Sequence, residues 1–188
     1  MAKNILICGV GGQGTVLAAK IISQAAINEG KKVLSAETIG MAQRGGSVVS
    51  HVRIGDDVFS PLIPFGQADL LISFEAAEAV RNLPYIKKDA VVIVNKKIVQ
   101  PITASISGKN FSEEEMILEL KKHTKNVRVV DTDKAAKELG STKIINTLLL
   151  GSACKTGLLE IQSIEDAIKS LVKPAFFELN IKALHYTS

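Results

Sequence analysis

Tryptophan is absent from this chain of 188 residues, cysteine occurs twice, and aromatic residues make up only 4% of it. Two cysteines, Cys8 and Cys154, can form neither a C-x-x-C pair nor a disulfide framework, and they are too few for a four-thiolate iron–sulfur cluster. So few aromatics exclude a platform on which nucleic-acid bases stack. The formal net charge of +4 is spread over pairs such as Lys87-Lys88, Lys96-Lys97 and Lys121-Lys122, the pattern of a solvated surface rather than of a nucleic-acid footprint. No uninterrupted apolar run reaches the roughly 20 residues that span a bilayer. The opening residues Met1-Ala2-Lys3-Asn4 pass straight into a strand pattern without the apolar core of a signal peptide, so a cytoplasmic location is expected. With 46% hydrophobic and 22% charged residues the composition is that of an ordinary globular protein with one sizeable core. One domain over 1–188 is expected, made of an α/β body (1–140) and a helical C-terminal part (141–188).

What is present is concentrated near the start. Ile5, Leu6, Ile7 and Cys8 form a short apolar run, Gly9-Val10-Gly11-Gly12-Gln13-Gly14 follows, and a helix pattern occupies 15–28. Strand, glycine turn and helix are the order that a phosphate-cradling loop requires. Gly9, Gly11 and Gly14 keep the G-x-G-x-x-G spacing. In that arrangement the first glycine allows the tight turn, the second close backbone approach to a pyrophosphate, and the third close helix–strand packing. Glu37 stands where an acid reading a ribose is expected, after a second strand at 33–36. A simple NAD or FAD domain is thus one reading of the turn.

Beyond Glu37 the pattern departs from such a domain. Residues 38–46 break both periodicities and form a loop carrying Arg44 ahead of Gly45-Gly46. A half-buried strand is expected at 47–54, turning at Gly55-Asp56-Asp57 into a hairpin arm at 58–59. The prolines of Ser60-Pro61-Leu62-Ile63-Pro64 rule out a central strand there. Buried strands are expected at 69–74 and 90–94, a further strand at 127–130, an edge strand at 101–107, and helices at 75–82, 112–123 and 134–139. Apolar helices opening at 141, 163 and 174 complete the tail. Strands alternating with helices imply a Rossmann-like, mostly parallel sheet with helices on both faces and a helical C-terminal extension.

The pairing of Gly9-Val10-Gly11-Gly12-Gln13-Gly14 with Met41-Ala42-Gln43-Arg44-Gly45-Gly46-Ser47 resembles the gamma-type subunits of 2-oxoacid:ferredoxin oxidoreductases, with the nearer likeness to the beta subunits of the indolepyruvate branch. His51-Val52-Arg53-Ile54-Gly55, Ser60-Pro61-Leu62-Ile63-Pro64, the stretch from Phe74-Glu75 to Arg81, and Lys173, Asn180 and Ala183 extend the likeness over nearly the whole chain. The resemblance implies an accessory subunit of a CoA-dependent, ferredoxin-reducing decarboxylase of 2-oxoacids. Thiamine diphosphate, Mg2+ and [4Fe-4S] clusters would then sit on a large alpha subunit, ferredoxin would be reached through the complex, and this chain would hold no cofactor tightly. A homodimer contact stays open, while nucleic-acid and membrane partners are not implied. The ligand-facing candidates are Gly9, Gly11, Gly12, Gln13, Gly14, Arg44, Gly45, Gly46 and Ser47, with Arg44 completing the partner's active site and the chain having no independent catalytic residue. A stand-alone NAD or FAD oxidoreductase using Gly9, Gly11, Gly14 and Glu37, or a nucleotide-binding scaffold without chemistry, are the competing readings. His51, His123, His185, Ser60 and Cys154 have no partners in sequence that point to catalysis.

Overall fold

The structure, a computed structural model, describes residues 2–40, 46–100 and 112–186. The apolar run ahead of the glycine turn is strand β1 (Lys3–Val10), buried from Asn4 onwards. It is followed by β2 (Val33–Ile39), β3 (Ser47–Ile54), β4 (Ala68–Ser73), β5 (Ile86–Asn95) and β6 (Val127–Val130), joined in the order β2-β3-β1-β4-β5-β6. Neighbours β1, β4, β5 and β6 pair in parallel, and β3 runs against both β1 and β2. The sheet is the mostly parallel one expected, mixed only in that β3 is reversed. The reason is chain length: a parallel return needs a crossover of about a dozen residues or more, and only residues 40–46 separate β2 from β3.

Alternation along each strand divides the core. Ile5, Ile7, Leu70 and Ile72 face a layer built from α1 (Thr15–Asn28), while Leu6, Cys8, Leu71 and Val92 face α2 (Ala76–Arg81) and α3 (Glu113–His123). With both faces covered, the strands read as continuous apolar runs, as sheets flanked by helices do. Ser112 caps α3 and three glutamates occupy its first turn, with Lys121, Lys122 and His123 in its last, so both ends suit the helix dipole. Asp131 caps α4 (Thr132–Leu139) through the Lys134 amide. The tail forms α5 (Ile145–Cys154), α6 (Ile161–Leu171) and α7 (Pro174–Leu184). Leu149, Leu150, Ala153, Ile164, Ala167, Ile168 and Leu184 enter the same apolar cluster as β1 and α1. The helical C-terminal part thus builds one face of the core. No described helix is long and apolar enough to cross a membrane.

Two expectations need correction or lie elsewhere. Residues 58–59 form no hairpin arm, because β3 is already hydrogen-bonded on both sides and has no free edge to offer. The expected edge strand at 101–107 lies outside the described residues.

Residues 58–66 instead lie as a strap, pinned from below. Val58 and Ile63 are buried, Arg53 donates to the carbonyls of Ser60 (2.9 Å) and Leu62 (3.2 Å), and the Ile63 amide donates to Nδ1 of His51 (3.2 Å). His51 is buried edge-on to Tyr85, and burial lowers its pKa. It is neutral, with Nδ1 free of a proton to accept the bond. A depressed histidine pKa means that the unfolded chain takes up a proton that the folded chain refuses, so this contribution to stability is present above the ordinary value of 6.5 and is lost as pH falls below it. His51→Gln keeps an acceptor for Ile63 and removes the titration. Its melting temperature is expected to drop less between pH 7.5 and 5.5 than that of the wild type, and calorimetry at both pH values measures the difference.

Candidate functional site

The glycine turn leaves β1 at the carboxyl end of the sheet, and its conformation depends on two glycines. Gly12 and Gly14 have φ of 93° and 92°, the left-handed region that side chains disfavour. A Cβ on Gly14 would meet nothing nearer than 3.7 Å, so its requirement is conformational. Close packing falls on Gly9, where a Cβ would lie 2.6 Å from Gln13 Oε1 and 2.8 Å from the Phe74 Cβ. The roles expected of the first and third glycines are thereby exchanged: helix α1 begins directly at Gly14, which must turn the chain, whereas Gly9 is still inside the strand and under Phe74.

Several amides of this turn are occupied by the protein itself. Val10 N–H donates to Gln13 Oε1 (2.8 Å), Gln13 N–H to the Val10 carbonyl (3.2 Å), and Gly11 N–H to the Gly46 carbonyl (2.9 Å). Gln13, an extra feature beside the glycine fingerprint, acts as an internal brace. At the mouth of α1 no side chain caps the helix.

The second loop returns to the same place. Gly40 N–H donates to the Ser47 carbonyl (2.8 Å), joining the end of β2 to the start of β3, and the Gly11–Gly46 bond ties that junction to the first turn. Met41, Ala42, Gln43, Arg44 and Gly45 lie outside the described residues. Gly46 and Ser47 mark where the loop re-enters the sheet, and the Ser47 hydroxyl donates to Glu78 Oε2 at 2.6 Å. Glu78 and its neighbour Glu75 are both buried. Glu75 caps α2 by accepting from the Glu78 amide (2.6 Å) and also accepts from Val99 (3.1 Å). Burial pushes its carboxyl above the usual range, opposed by these amide donors. Cys8 lies beneath, its thiol donating to Ser73 (3.2 Å) and pushed up to about 12 by burial, which makes it unreactive.

Glu37 is not brought to the turn. It is exposed on edge strand β2, paired with Ser50, and β3 stands between it and β1. Two strand spacings place it roughly 10 Å from β1, away from where a ribose held on the glycine turn would sit.

Beside Gly14 opens a cleft of about 230 Å³ that the sequence did not single out. Leu17, Phe176 and Leu179 give it apolar walls, Lys143 and Lys173 stand at its rim, and no carboxylate lines it. Asn146, buried and next to Gly14, is among its polar lining groups. The combination suits an anionic group carried on a partly apolar body. Its components come from α1, the start of α5 with the two residues before it, the α6–α7 junction and α7, so only folding assembles it. Among the described residues no three His, Cys, Asp or Glu side chains group as a metal site.

The family described as pyruvate ferredoxin/flavodoxin oxidoreductase matches residues 4–187. Indolepyruvate oxidoreductase subunit IorB of Archaeoglobus fulgidus is 42% identical over 98% of this chain and 92% of its own length. The common gamma subunit of the pyruvate/ketoisovalerate oxidoreductases of Pyrococcus furiosus is 33% identical over 93% of this chain and 89% of its own. Among solved structures, pyruvate oxidoreductase subunit PORC of Thermotoga maritima superposes with a TM-score of 0.70 at 25% identity, covering 98% of this chain and 93% of that one. A 2-oxoglutarate:ferredoxin oxidoreductase chain of Magnetococcus marinus, solved with 2-oxoglutarate, coenzyme A and succinyl-CoA bound, shares the fold with a TM-score of 0.74 at 17% identity. It covers 97% of this chain, which corresponds to 30% of that longer one.

Gly9→Ala is expected to destabilise the chain by about 1–3 kcal/mol through overpacking, and Gly12→Ala, with open space around it, by about 1–2 kcal/mol through backbone strain alone. Denaturant titration of both variants checks the order.

Proposed function

Because the chain belongs to the pyruvate ferredoxin/flavodoxin oxidoreductase family, we propose that it is the small accessory subunit of an indolepyruvate-type complex that decarboxylates an aryl 2-oxoacid, transfers the acyl group to coenzyme A and passes electrons to ferredoxin. In such a complex the large subunit carries thiamine diphosphate with its metal ion, for carbanion stabilisation, and the iron–sulfur clusters, for one-electron transfer. The composition of this chain supports that division. Its two cysteines, both buried, are too few for a four-thiolate cluster.

The observation that carries the reading is the convergence of two glycine loops at one end of the sheet through the Gly11–Gly46 bond. A surface of that kind serves a large neighbour better than a dinucleotide, since Val10, Gly11 and Gln13 spend their amides internally and Glu37 is remote. On this reading Gly9, Gly11, Gly12, Gln13 and Gly14 form the rigid wall, Gly45, Gly46 and Ser47 let the second loop approach the neighbour closely, and Arg44 offers a guanidinium fork to a phosphate or carboxylate there. The adjoining cleft with Lys143 and Lys173 is chemically matched to the phosphate-bearing end of coenzyme A.

The strap of residues 58–66 supplies a surface for docking the large subunit. Phe59 is 88% exposed, Phe65 70% and Leu62 54%, on a segment fixed from beneath by Arg53 and His51. Apolar side chains held rigidly outward lose little entropy on association.

Arg44→Ala is expected to lower turnover of the assembled enzyme by roughly tenfold or more, the loss of one charge-assisted contact, while the complex still assembles. Unchanged turnover with indolepyruvate, coenzyme A and ferredoxin would exclude the role given to Arg44. Calorimetry of the isolated chain with NAD and FAD is expected to show no binding, and tight binding would favour the stand-alone oxidoreductase. Phe59→Ser combined with Phe65→Ser is expected to weaken capture of the large subunit by roughly tenfold or more without changing the chain's melting temperature.

A further inference from the structure

Glu78 has no counterpart in the reading so far. It is 4% exposed, lies on the two-turn helix α2, and is not needed to start that helix, because Glu75 already provides the cap. Burying a carboxylate costs several kcal/mol unless its oxygens are well paired. Here one oxygen accepts from Arg81 (2.7 Å), a largely exposed side chain one turn on in the same helix. The other reaches 31 residues back along the chain to the Ser47 hydroxyl at 2.6 Å.

Ser47 is where the second loop rejoins the sheet. Its carbonyl accepts from Gly40, and the carbonyl of Gly46 beside it accepts from Gly11. Those two backbone bonds tie the loops to each other and to β2. Of the hydrogen bonds at Gly46 and Ser47, the Ser47–Glu78 bond is the one that reaches helix α2. Beneath Glu78 the floor is stiff. Glu75 binds the amides of Glu78 and Val99, Asn95 donates to the Phe74 carbonyl, and Thr132 donates to Asn95. A bond from that floor to Ser47 therefore holds Gly46 and Ser47, and through the Gly11–Gly46 bond the first glycine turn, relative to the end of the sheet.

Resting on the accessory-subunit reading, we propose that Glu78 is a positioning residue: through Ser47 it holds the first glycine turn and the Gly46–Ser47 segment in the geometry in which they meet the catalytic subunit. Its carboxylate touches neither substrate nor cofactor. Its effect on turnover passes entirely through the Ser47 hydroxyl, which separates this role from a general contribution of Glu78 to the stability of α2.

The test uses the complete complex with its large subunit, assayed with indolepyruvate, coenzyme A and ferredoxin. Ser47→Ala and Glu78→Ala are each expected to lower kcat/KM roughly tenfold or more, as small misplacement of groups near a reacting centre does, while the complex elutes at its normal size. The double variant is expected to be no worse than either single one, because both remove the same bond. Ser47→Thr, which keeps the hydroxyl, restores activity, and Arg81→Ala, which leaves the Ser47 bond intact, retains it. Full activity of Ser47→Ala, additive losses in the double variant, failure of Ser47→Thr to rescue, or a loss in Arg81→Ala equal to that of Glu78→Ala would each overturn the proposal. Should Glu78→Ala fail to fold, the serine pair and Arg81→Ala still decide it. Arg44→Ala in the same assay separates the two readings. An impaired Arg44 variant beside a fully active Ser47→Ala defeats the anchoring alone, and the reverse result defeats the arginine's role alone.

Discussion

Strand β3, hydrogen-bonded along both edges and running against both neighbours, is the constraint on which the rest of the structure depends. Its insertion between β1 and β2 follows from a connection too short to cross over, and it has three consequences. It moves Glu37 to an outer edge, away from the glycine turn. It brings the end of the β2–β3 loop beside that turn, close enough for Gly11 to bond to Gly46. It also leaves the chain after β3 without a strand to pair with, so residues 58–66 become a strap whose phenylalanines face outward. A fold assembled from the parts of a dinucleotide-binding domain is thereby redirected to present two loops and an apolar strap.

Rigidity at this end of the sheet comes from buried and half-buried polar groups rather than from apolar packing alone. Gln13 braces the first loop, Glu75 and Asn95 lace the ends of β4 and β5, and Glu78 reaches up to the second loop. Each such group is costly to bury unless it is satisfied, so a network of them holds one arrangement more strictly than an apolar surface of the same area would. That suits the proposed accessory role, in which chemistry housed in a neighbour gains from a wall that does not shift. The strap is treated in the same way, with Arg53 and His51 pinning its backbone so that its exposed side chains keep a fixed direction.

Much of this was legible in the chain. The strand, glycine turn and helix at 5–28, the strands at 47–54 and 127–130, the capped helix after Ser112 and the break at Pro174 all rest on local signals: apolar periodicity, caps and glycine or proline punctuation. The scarcity of cysteine excluded a four-thiolate cluster within this chain. What misled was the hairpin expected at 58–59, because the turn at Gly55-Asp56-Asp57 is real but an arm also needs a free sheet edge. The jobs of Gly9 and Gly14 were exchanged for a similar reason, since part of the crowding at Gly9 comes from Phe74, which is distant in sequence.

The sequence by itself determined the α/β class, the position of the glycine turn, the scarcity of cysteine and the family likeness, because each depends on residue type and short-range spacing. Only the tertiary structure decided that β3 separates β1 from β2, that Gly11 meets Gly46, that Lys143 and Lys173 share a cleft, and that Glu78 holds Ser47. Those contacts join residues tens of positions apart through backbone groups and side-chain directions, and such pairings leave no periodic mark on the chain that makes them.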